Sequence, residues 1–250
     1  MERKGRVLVA TLSRAPVNAL NDVLLARIEA ALDEAIADEE VSVLHIRSAL
    51  KAFCAGADLA LMQSCMSSPE GIDTMVEVVR SLQRVFARIE SAPLLTLAEI
   101  GGAAMGGGLE LALACDVRIA AAEAKLGLPE ARLGLVPGAG GTQRLARLCG
   151  QGIARRLILG AEIVDGAEAE RLGIVQWSRP RNELVSWASE VAERFAAIPR
   201  AALAEAKQCV AAQADPNRDG FELEIAVTRR LYSHPETRRR VTDFLNKSAI

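Results

Sequence analysis

The chain has 250 residues, half of them hydrophobic, with a formal net charge of −2. This length can bury a large core, and the charge shows no basic excess of the kind that binds nucleic acid or acidic membranes. The first residues lack a signal-peptide pattern, and no uncharged apolar stretch reaches the roughly 18 residues of a membrane-spanning helix. Five cysteines without CxxC spacing and only two histidines argue against a disulfide framework or a metal site and predict a cytoplasmic protein.

The first elements in chain order predict a parallel crossover. An apolar run at 6–13 predicts a strand, helical spacing at 18–40 predicts an amphipathic helix, and 42–48 predicts a second strand. A strand, a helix and a second strand in this order favour a βαβ unit. A loop then leads into a helix over 51–62, and a long amphipathic helix is predicted over 71–91.

The middle of the chain alternates strands with glycine-rich turns. Residues 94–102 predict a buried strand, which is followed by the glycine run and helix of 103–116. Residues 117–124 predict another strand, and Glu130 lies in a loop after it. A second glycine loop at 138–150 enters a helix.

The later part of the chain changes in character. Two short helices are predicted at 154–160 and 165–173, each ended by glycine. After about residue 180, successive helical patterns follow one another without strands. We therefore predict an α/β core over residues 1–180 and a helical region over residues 181–250.

Glycines at a helix start raise the first functional hypothesis. Gly106–Gly108 precede an apolar helix, although each glycine lowers helix propensity by roughly 1 kcal/mol. A helix N-terminus offers unpaired N–H groups, and glycine lets a ligand oxygen approach that backbone closely. The segment 53–58 (FCAGAD) is a second small-residue turn of this type. An oxyanion hole and tight packing of a strand–helix turn are both consistent with the pattern.

Two glutamates and two aspartates stand near these turns. Glu110 lies in the first helical turn among apolar residues, where a buried carboxylate is costly without a partner or a role. Glu130 by itself has the context of a surface loop carboxylate. Asp58 and Asp116 fit turn or cap positions better than catalysis.

Taken together, four motifs resemble the enoyl-CoA hydratase/isomerase family, the crotonase superfamily. They are KAFCAGADL, AAMGGGLELALACDVRIAA, KLGLPEARLGLVPGAGGTQRL and the late DFLNK. The resemblance runs from about residue 6 to 247. It implies the α/β crotonase (ClpP-like) fold, in which ββα turns wind into two roughly perpendicular sheets. It also implies a C-terminal helical trimerisation region, with a homotrimer or a homohexamer of two trimers.

The resemblance also implies roles for particular residues. The backbone N–H groups of Ala57 and Gly107 would form the oxyanion hole for the thioester carbonyl of an acyl-CoA. Glu110 would orient and deprotonate a water molecule, and a protonated Glu130 would supply the proton to the α-carbon. The amide of Gly138 would help to position that water.

The coenzyme A part of the substrate implies a further set of contacts. The backbone around Ala55 and Leu59 would contact the adenine, with Asp58 in the same motif. Arg14 would meet a phosphate, and Lys247 would reach the coenzyme A of a neighbouring subunit. Neither a separate cofactor nor a metal is expected, and the expected partners are the acyl-CoA and other copies of this chain.

Three alternatives remain from the sequence. A hydratase is favoured because both glutamates are present, whereas a Δ3,Δ2-enoyl-CoA isomerase needs only one proton shuttle, which Glu130 could be. An RNA-binding member of the family would need a lysine-rich helix, but 18–40 has Arg27 as its only basic residue among seven acidic ones. A catalytically silent assembly subunit is the third alternative.

Overall fold

The predicted strands lie side by side in one sheet of the computed structural model, which describes residues 1–248 and the side chains of residues 1–246. The last five strands of this sheet pair in parallel, with Val43 opposite both Val7 and Leu95, and Leu97 opposite Val117, whereas the first strand pairs antiparallel with the second. In spatial order the sheet contains β1 (Glu2–Lys4), β2 (Val7–Leu12), β3 (Val43–Ser48), β4 (Leu95–Ile100), β6 (Val117–Ala121) and β9 (Trp177–Arg179).

A second, smaller sheet stands behind the carboxyl ends of these strands. It consists of β5 (Ala104–Met105), β7 (Lys125–Gly127) and β8 (Ile163–Asp165). Isolated parallel bridges from Cys54 to Ala104 and from Leu20 to Ala57 continue its pairing towards the earlier loops. The chain thus places a strand in the first sheet and a short extended piece in the second before it enters a helix, which confirms the predicted crotonase fold.

The helices cover the sheets, and five of them begin at a side-chain N-cap. The first helix starts at Asp22 rather than at residue 18, because the Asn21 side chain accepts a hydrogen bond from the Leu24 N–H as an N-cap. The helices are α1 (Asp22–Ala37), α2 (Leu59–Cys65), α3 (Pro69–Ser91), α4 (Gly107–Ala114), α5 (Gly141–Leu159), α6 (Gly166–Arg171), α7 (Arg181–Ala196), α8 (Arg200–Ala212), α9 (Gly220–Ser233) and α10 (Pro235–Ser248). The five with a side-chain N-cap are α1, α2, α3, α6 and α9.

The structure modifies two local predictions. Gly150, at φ +80° and ψ 160°, breaks α5 into two helical segments. The predicted short helix over 154–160 lies in the second segment, which ends at Leu159 and buries Ala154 and Leu157. Glu130 lies on a 3-10 turn, Pro129–Leu133, rather than in an irregular loop.

Two cations join α8 to the rest of the chain. The Arg200 guanidinium donates to the carbonyls of Val41 and Ile36, each at 2.9 Å, beyond the C-terminal end of α1. Lys207 Nζ lies 2.8 Å from Asp116 Oδ2 between β4 and β6. The Arg200 bonds satisfy main-chain oxygens near the end of α1, and Lys207 adds a charged partner to a carboxylate that already accepts hydrogen bonds from Thr96. After β9, the described part of the chain contains helices only.

Candidate active site

The loops that follow β2, β3 and β4 meet at one edge of the sheet. Carboxyl ends of parallel strands share an edge, so these loops, which carry both small-residue turns, are neighbours by topology. The Cys54 N–H donates to Ala103 O at 3.1 Å, and the Met105 N–H donates to Cys54 O at 3.0 Å. The FCAGAD turn is therefore paired directly with the residues that precede the glycine run.

This pairing brings the two predicted oxyanion-hole amides together. A methyl group built on Gly107 would lie 3.9 Å from the Ala57 nitrogen, and one built on Gly56 would lie 3.7 Å from the Gly107 nitrogen. Gly56 has φ +91° and its methyl would stand 2.9 Å from Met105 O, so only glycine allows the two segments to pass this closely.

Both amides are available to a ligand. The Leu20 N–H donates to Gly56 O at 2.7 Å and the Asp58 N–H donates to Leu20 O at 3.2 Å, which leaves the intervening Ala57 N–H directed to the other side. Gly107 opens α4, where an N–H has no partner within the helix. Within residues 1–248, neither N–H donates a hydrogen bond to a protein group.

Glu110 is a buried carboxylate held by main chain. All of α4 is buried, and Glu110 is 2% exposed. Its Oε1 accepts a hydrogen bond from the Gly141 N–H at 2.7 Å. The pKa of Glu110 is raised from 4.5 to about 7: burial raises it most, the Gly141 hydrogen bond lowers it, and the nearby Glu130 raises it. Its Oε2 would lie 3.9 Å from a methyl group on Gly107.

Glu130 approaches the same glycines from the 3-10 turn. A methyl group on Gly106, which has φ +51°, would lie 2.6 Å from Glu130 Oε1. Burial raises the pKa of Glu130 above its ordinary value. Its Oε2 is a buried oxygen without a hydrogen-bond partner among the described residues. An orphaned buried acceptor of this kind is suited to a protonated acid or to a ligand donor.

The two carboxyl groups therefore lie beside adjacent glycines of the run. Glu130 Oε1 lies beside Gly106, and Glu110 Oε2 lies beside Gly107, the glycine that is also close to the Ala57 nitrogen. Two carboxyls with raised pKa values beside unpaired N–H groups can exchange protons with a molecule whose oxygen is bound there. The predicted roles of Glu110 and Glu130 depend on this proximity of the two carboxyl groups to the amides.

Gly138 lies in the loop that supplies the Glu110 hydrogen bond. Its carbonyl accepts a hydrogen bond from Gln83 Nε2 of α3 at 2.6 Å, and the next carbonyl, of Ala139, accepts one from Arg144 Nη1 at 3.0 Å. Sequence reasoning singled out Gly138 but missed Gln83, Arg144 and the Gly141 donor. Only the doubled glycine of GAGG could have indicated a second close approach of backbone to a ligand or side chain.

The predicted coenzyme A residues are grouped at the rim, but two of them bind each other. Arg14 Nη2 donates to Asp58 Oδ2 at 2.9 Å, and Arg14 Nη1 donates to Ala19 O at 2.9 Å. Asp58 is the N-cap of α2, and its bond to Arg14 lowers the pKa of its carboxyl. Ala55 and Leu59 are exposed beside it. The side chain of Lys247 lies outside the described residues.

The remaining titratable groups show no competing site. Within residues 1–248, no three His, Cys, Asp or Glu side chains are grouped as a metal site would require. His45 Nε2 lies 2.9 Å from Glu99 Oε2, and both side chains are buried in the first sheet. Among the residues that the structure describes, none of the helices combines the length and the apolar character that a membrane span requires.

Comparison of sequences identifies similar proteins. The family model described as Enoyl-CoA hydratase/isomerase matches residues 2–250. A short-chain-enoyl-CoA hydratase of Clostridium acetobutylicum is 37% identical over 212 residues, which cover 84% of this chain and 79% of that protein. A probable enoyl-CoA hydratase of Rhizobium meliloti is 34% identical over 249 residues, which cover 99% of this chain and 94% of that protein.

Other relatives are longer than this chain. The mitochondrial methylglutaconyl-CoA hydratase of Mus musculus is 40% identical over 183 residues, or 73% of this chain. The match spans 57% of the mouse protein, 56% of the rat protein and 52% of the human protein. The chain therefore covers little more than half the length of these relatives.

Comparison of structures gives similar results. A crystal structure of an enoyl-CoA hydratase from Bacillus anthracis superposes with a TM-score of 0.90 at 31% identity, covering 99% of this chain and 95% of that one. The corresponding protein from Geobacillus kaustophilus superposes with a TM-score of 0.91 at 28% identity, covering 98% of this chain and 92% of that one.

Proposed function

Because the chain belongs to the enoyl-CoA hydratase/isomerase family, we propose that it adds water across the 2,3 double bond of a trans-2-enoyl-CoA to give a 3-hydroxyacyl-CoA. The observation that carries this proposal is the pair of carboxyl groups, Glu110 and Glu130, beside the glycines that carry or adjoin two unpartnered amides. A carbon–oxygen lyase needs a base for water and an acid for carbon, and this pair offers both.

The amides of Ala57 and Gly107 would hold the thioester oxygen. When water adds to the β-carbon, the electrons of the double bond move onto this oxygen and form an enolate. Two N–H donors fixed in the backbone stabilise that charge without having to reorganise during the reaction. Their freedom from protein acceptors supports this role.

The two glutamates would divide the proton transfers. Ionised Glu110 takes a proton from the water whose oxygen bonds to the β-carbon, and protonated Glu130 gives its proton to the α-carbon. Gly138 is expected to contribute its amide to the same water. The pKa of Glu110, about 7, suits a base that works near neutrality, and the raised pKa of Glu130 favours the protonated acid. Proton exchange with solvent then restores both groups.

Coenzyme A would bind at the rim beside these groups. The exposed backbone at Ala55 and Leu59 suits contact with the adenine. Arg14 keeps part of its guanidinium accessible although Asp58 binds it, so we assign it a phosphate contact shared with that carboxylate. Lys247 stays a predicted contact from a neighbouring subunit. Since coenzyme A arrives as part of the substrate, no separate cofactor is invoked.

The isomerase alternative has one observation in its favour. Glu130 has a buried oxygen without a partner, whereas Glu110 is bound by Gly141, so Glu130 alone could move a proton between two carbons. A 3-enoyl substrate distinguishes the two reactions. An isomerase would keep its activity when Glu110 is replaced, because it activates no water.

We also propose self-assembly into a homotrimer or a hexamer of two trimers. Three large apolar side chains of α9 are strongly exposed in the single chain, which supports burial against other copies: Phe221, Ile225 and Tyr232. The five cysteines are all free thiols, which supports a reducing compartment such as the cytoplasm.

Incubation of the protein with crotonyl-CoA tests the proposed reaction. We expect the absorbance of the conjugated thioester to fall as water adds, and 3-hydroxybutyryl-CoA to appear in stoichiometric amount. A parallel assay with 3-methylglutaconyl-CoA, which the names of some relatives suggest, tests a branched, acidic acyl group. Absence of hydration with both substrates and with longer 2-enoyl-CoAs would contradict the proposal.

A further inference from the structure

A side chain of α3 reaches across to the loop beside Glu110. Gln83 Nε2 donates to the Gly138 carbonyl at 2.6 Å, although the two residues are 55 positions apart. One turn earlier on the same face, Val79 packs on this glycine, where a methyl group would lie 3.2 Å from Val79 Cγ1. The loop is thus held against α3 by one polar contact and one apolar contact.

The hydrogen bond from Gln83 to the Gly138 carbonyl fixes the orientation of the next N–H, that of Ala139. The carbonyl of Gly138 and the N–H of Ala139 belong to one planar trans peptide and point in opposite directions. With the carbonyl fixed towards Gln83, the Ala139 N–H faces the Glu110 carboxylate and lowers its pKa. Two residues later, the Gly141 N–H donates to Glu110 Oε1 at 2.7 Å.

The next carbonyl is also tethered to α3. Ala139 O accepts a hydrogen bond from Arg144 Nη1 at 3.0 Å, and Glu90 of α3 accepts from Arg144 Nε at 3.0 Å and from Nη2 at 2.8 Å. Gly140 between these contacts has φ +105° and leaves no room for a methyl group beside Arg144 Nη1. Two successive carbonyls of the loop are therefore held by α3, one directly and one through Arg144.

We propose that Gln83 is a positioning residue, which fixes the loop of residues 138–141 so that its main-chain N–H groups are directed at the Glu110 carboxylate. The effect on rate rests on the proposed function, but the effect on the Glu110 carboxylate does not. Gln83 touches neither of the proposed reacting carbons, and it acts only through the peptide that it binds.

The charges that face Glu110 are already identified, so the effect of Gln83 can be separated from them. Glu130, on the 3-10 turn, raises the pKa of Glu110, and Arg144, on α5, lowers it. Gln83 is neutral, and its replacement by methionine removes a donor without changing either charge. Its side chain is exposed, so water can solvate the freed carbonyl and the variant is expected to fold.

The test compares Gln83→Met with Gln143→Met. Gln143 is an exposed glutamine of the same region whose side chain bonds only to the Thr142 hydroxyl, at 3.2 Å, so it serves as the matched control. The pKa of Glu110 is measured by 13C NMR titration of protein labelled at the glutamate carboxyl carbons, with its resonance assigned by its loss in Glu110→Gln. The pH profile of crotonyl-CoA hydration is recorded for the same proteins.

Loss of the fixed donors should raise the pKa of Glu110 by roughly 0.5–1 unit in Gln83→Met, and the acid limb of the rate profile should move with it. Gln143→Met should change neither the pKa of Glu110 nor the position of the acid limb. Gln83→Glu, which sets a carboxylate against the Gly138 carbonyl, should have at least as large an effect.

The outcomes separate this inference from the proposed function. If the pKa of Glu110 moves while no protein hydrates crotonyl-CoA, 3-methylglutaconyl-CoA or longer 2-enoyl-CoAs, the positioning role holds and the proposed reaction fails. If hydration is present and Gln83→Met lowers its rate equally at every pH, with the pKa of Glu110 unmoved, Gln83 is only a packing residue and the inference is overturned. An unmoved pKa overturns it also when activity is absent.

Discussion

The carboxylate of Glu110 and the N–H of Gly141 are joined by a 2.7 Å hydrogen bond that links α4 to the start of α5 across 31 residues. This bond stabilises the ionised carboxylate, but burial outweighs it and leaves the pKa of Glu110 at about 7. A carboxylate in this state changes its charge within the pH range in which most cells operate. Two predictions follow from this property.

The rate of hydration should depend on pH through both glutamates. Activity should rise as pH passes the Glu110 pKa of about 7, because the base must be ionised. The proposed mechanism also needs the proton of Glu130, whose pKa burial raises, so activity should fall once that proton is lost. The measurement is kcat/KM for crotonyl-CoA against pH, and a profile flat from about pH 6 to about pH 8 would contradict the assignment of the base.

Replacement of Glu110 by glutamine should stabilise the protein at neutral and alkaline pH. The folded-state pKa of about 7 lies above the ordinary 4.5, so the favourable protonated state is fully present below pH 4.5 and is lost as pH rises to about 7. At about 1.4 kcal/mol per pKa unit, ionisation costs the folded state about 3 kcal/mol above that pH. Urea unfolding at several pH values measures this, and an advantage of Glu110→Gln that does not grow with pH would refute the linkage.

The same two positions should be essential for activity. Glu110→Gln and Glu130→Gln should each lose about 10²–10⁴-fold in the rate of hydration while remaining folded, since each removes one proton transfer. The exposed Glu123 provides the matched control, and Glu123→Gln should retain the full rate. Circular dichroism checks the fold, and a variant with the parental rate would remove its residue from the mechanism.

A methyl group at Gly107 should block the binding of the thioester oxygen. It would lie 3.9 Å from the Ala57 nitrogen, in space that a bound oxygen needs, and would displace only the flexible end of Leu20. Loss of an oxyanion donor typically costs about 10²–10³-fold in rate, and Gly107→Ala should lose at least that.

The control for this variant is Gly152→Ala in α5, where a methyl group meets nothing within 4 Å. It should leave the rate unchanged and add up to about 1 kcal/mol of stability from helix propensity. Equal rates for the two alanine variants would show that the amide of residue 107 does not bind the substrate.

Removal of the Arg200 guanidinium should loosen the attachment of α8. Arg200→Met leaves the carbonyls of Ile36 and Val41 without their donor, at a cost of about 1–3 kcal/mol. Arg194→Met, at an exposed position of α7, is the control. Hydrogen exchange should become faster in α8, and unchanged exchange there would show that Arg200 contributes little to the attachment.

The larger elements were predictable from the sequence because their apolar patterns are long. β2, β3, β4 and β6 are mostly buried, and each contains at least three buried apolar residues. By contrast, β5 has two residues and β7, β8 and β9 have three each, so they exist only through pairing with distant strands. Such pieces carry no periodicity of their own.

The residues of the candidate site also differ in whether the sequence alone could predict them. Glu110, Glu130, Ala57 and Gly107 were predicted from the motifs that carry the family resemblance, although Glu130 alone has the context of a surface loop carboxylate. Gln83 could not be predicted from a motif. An exposed glutamine in an amphipathic helix has no distinctive neighbouring sequence, and its hydrogen-bond partner, Gly138, is 55 residues away. The pairing of Arg14 with Asp58, 44 residues apart, was missed for the same reason.

The groups proposed to bind the thioester oxygen, at residues 57 and 107, belong to the main chain, and this has an evolutionary consequence. Every amino acid except proline brings a peptide N–H, so few single-codon changes can delete such a donor outright. Either carboxylate, in contrast, is lost by one substitution. If the proposed roles hold, a gene duplicate that lost Glu110 or Glu130 would therefore lose catalytic activity but still bind acyl thioesters. Binding of the ligand would then persist in that lineage without turnover.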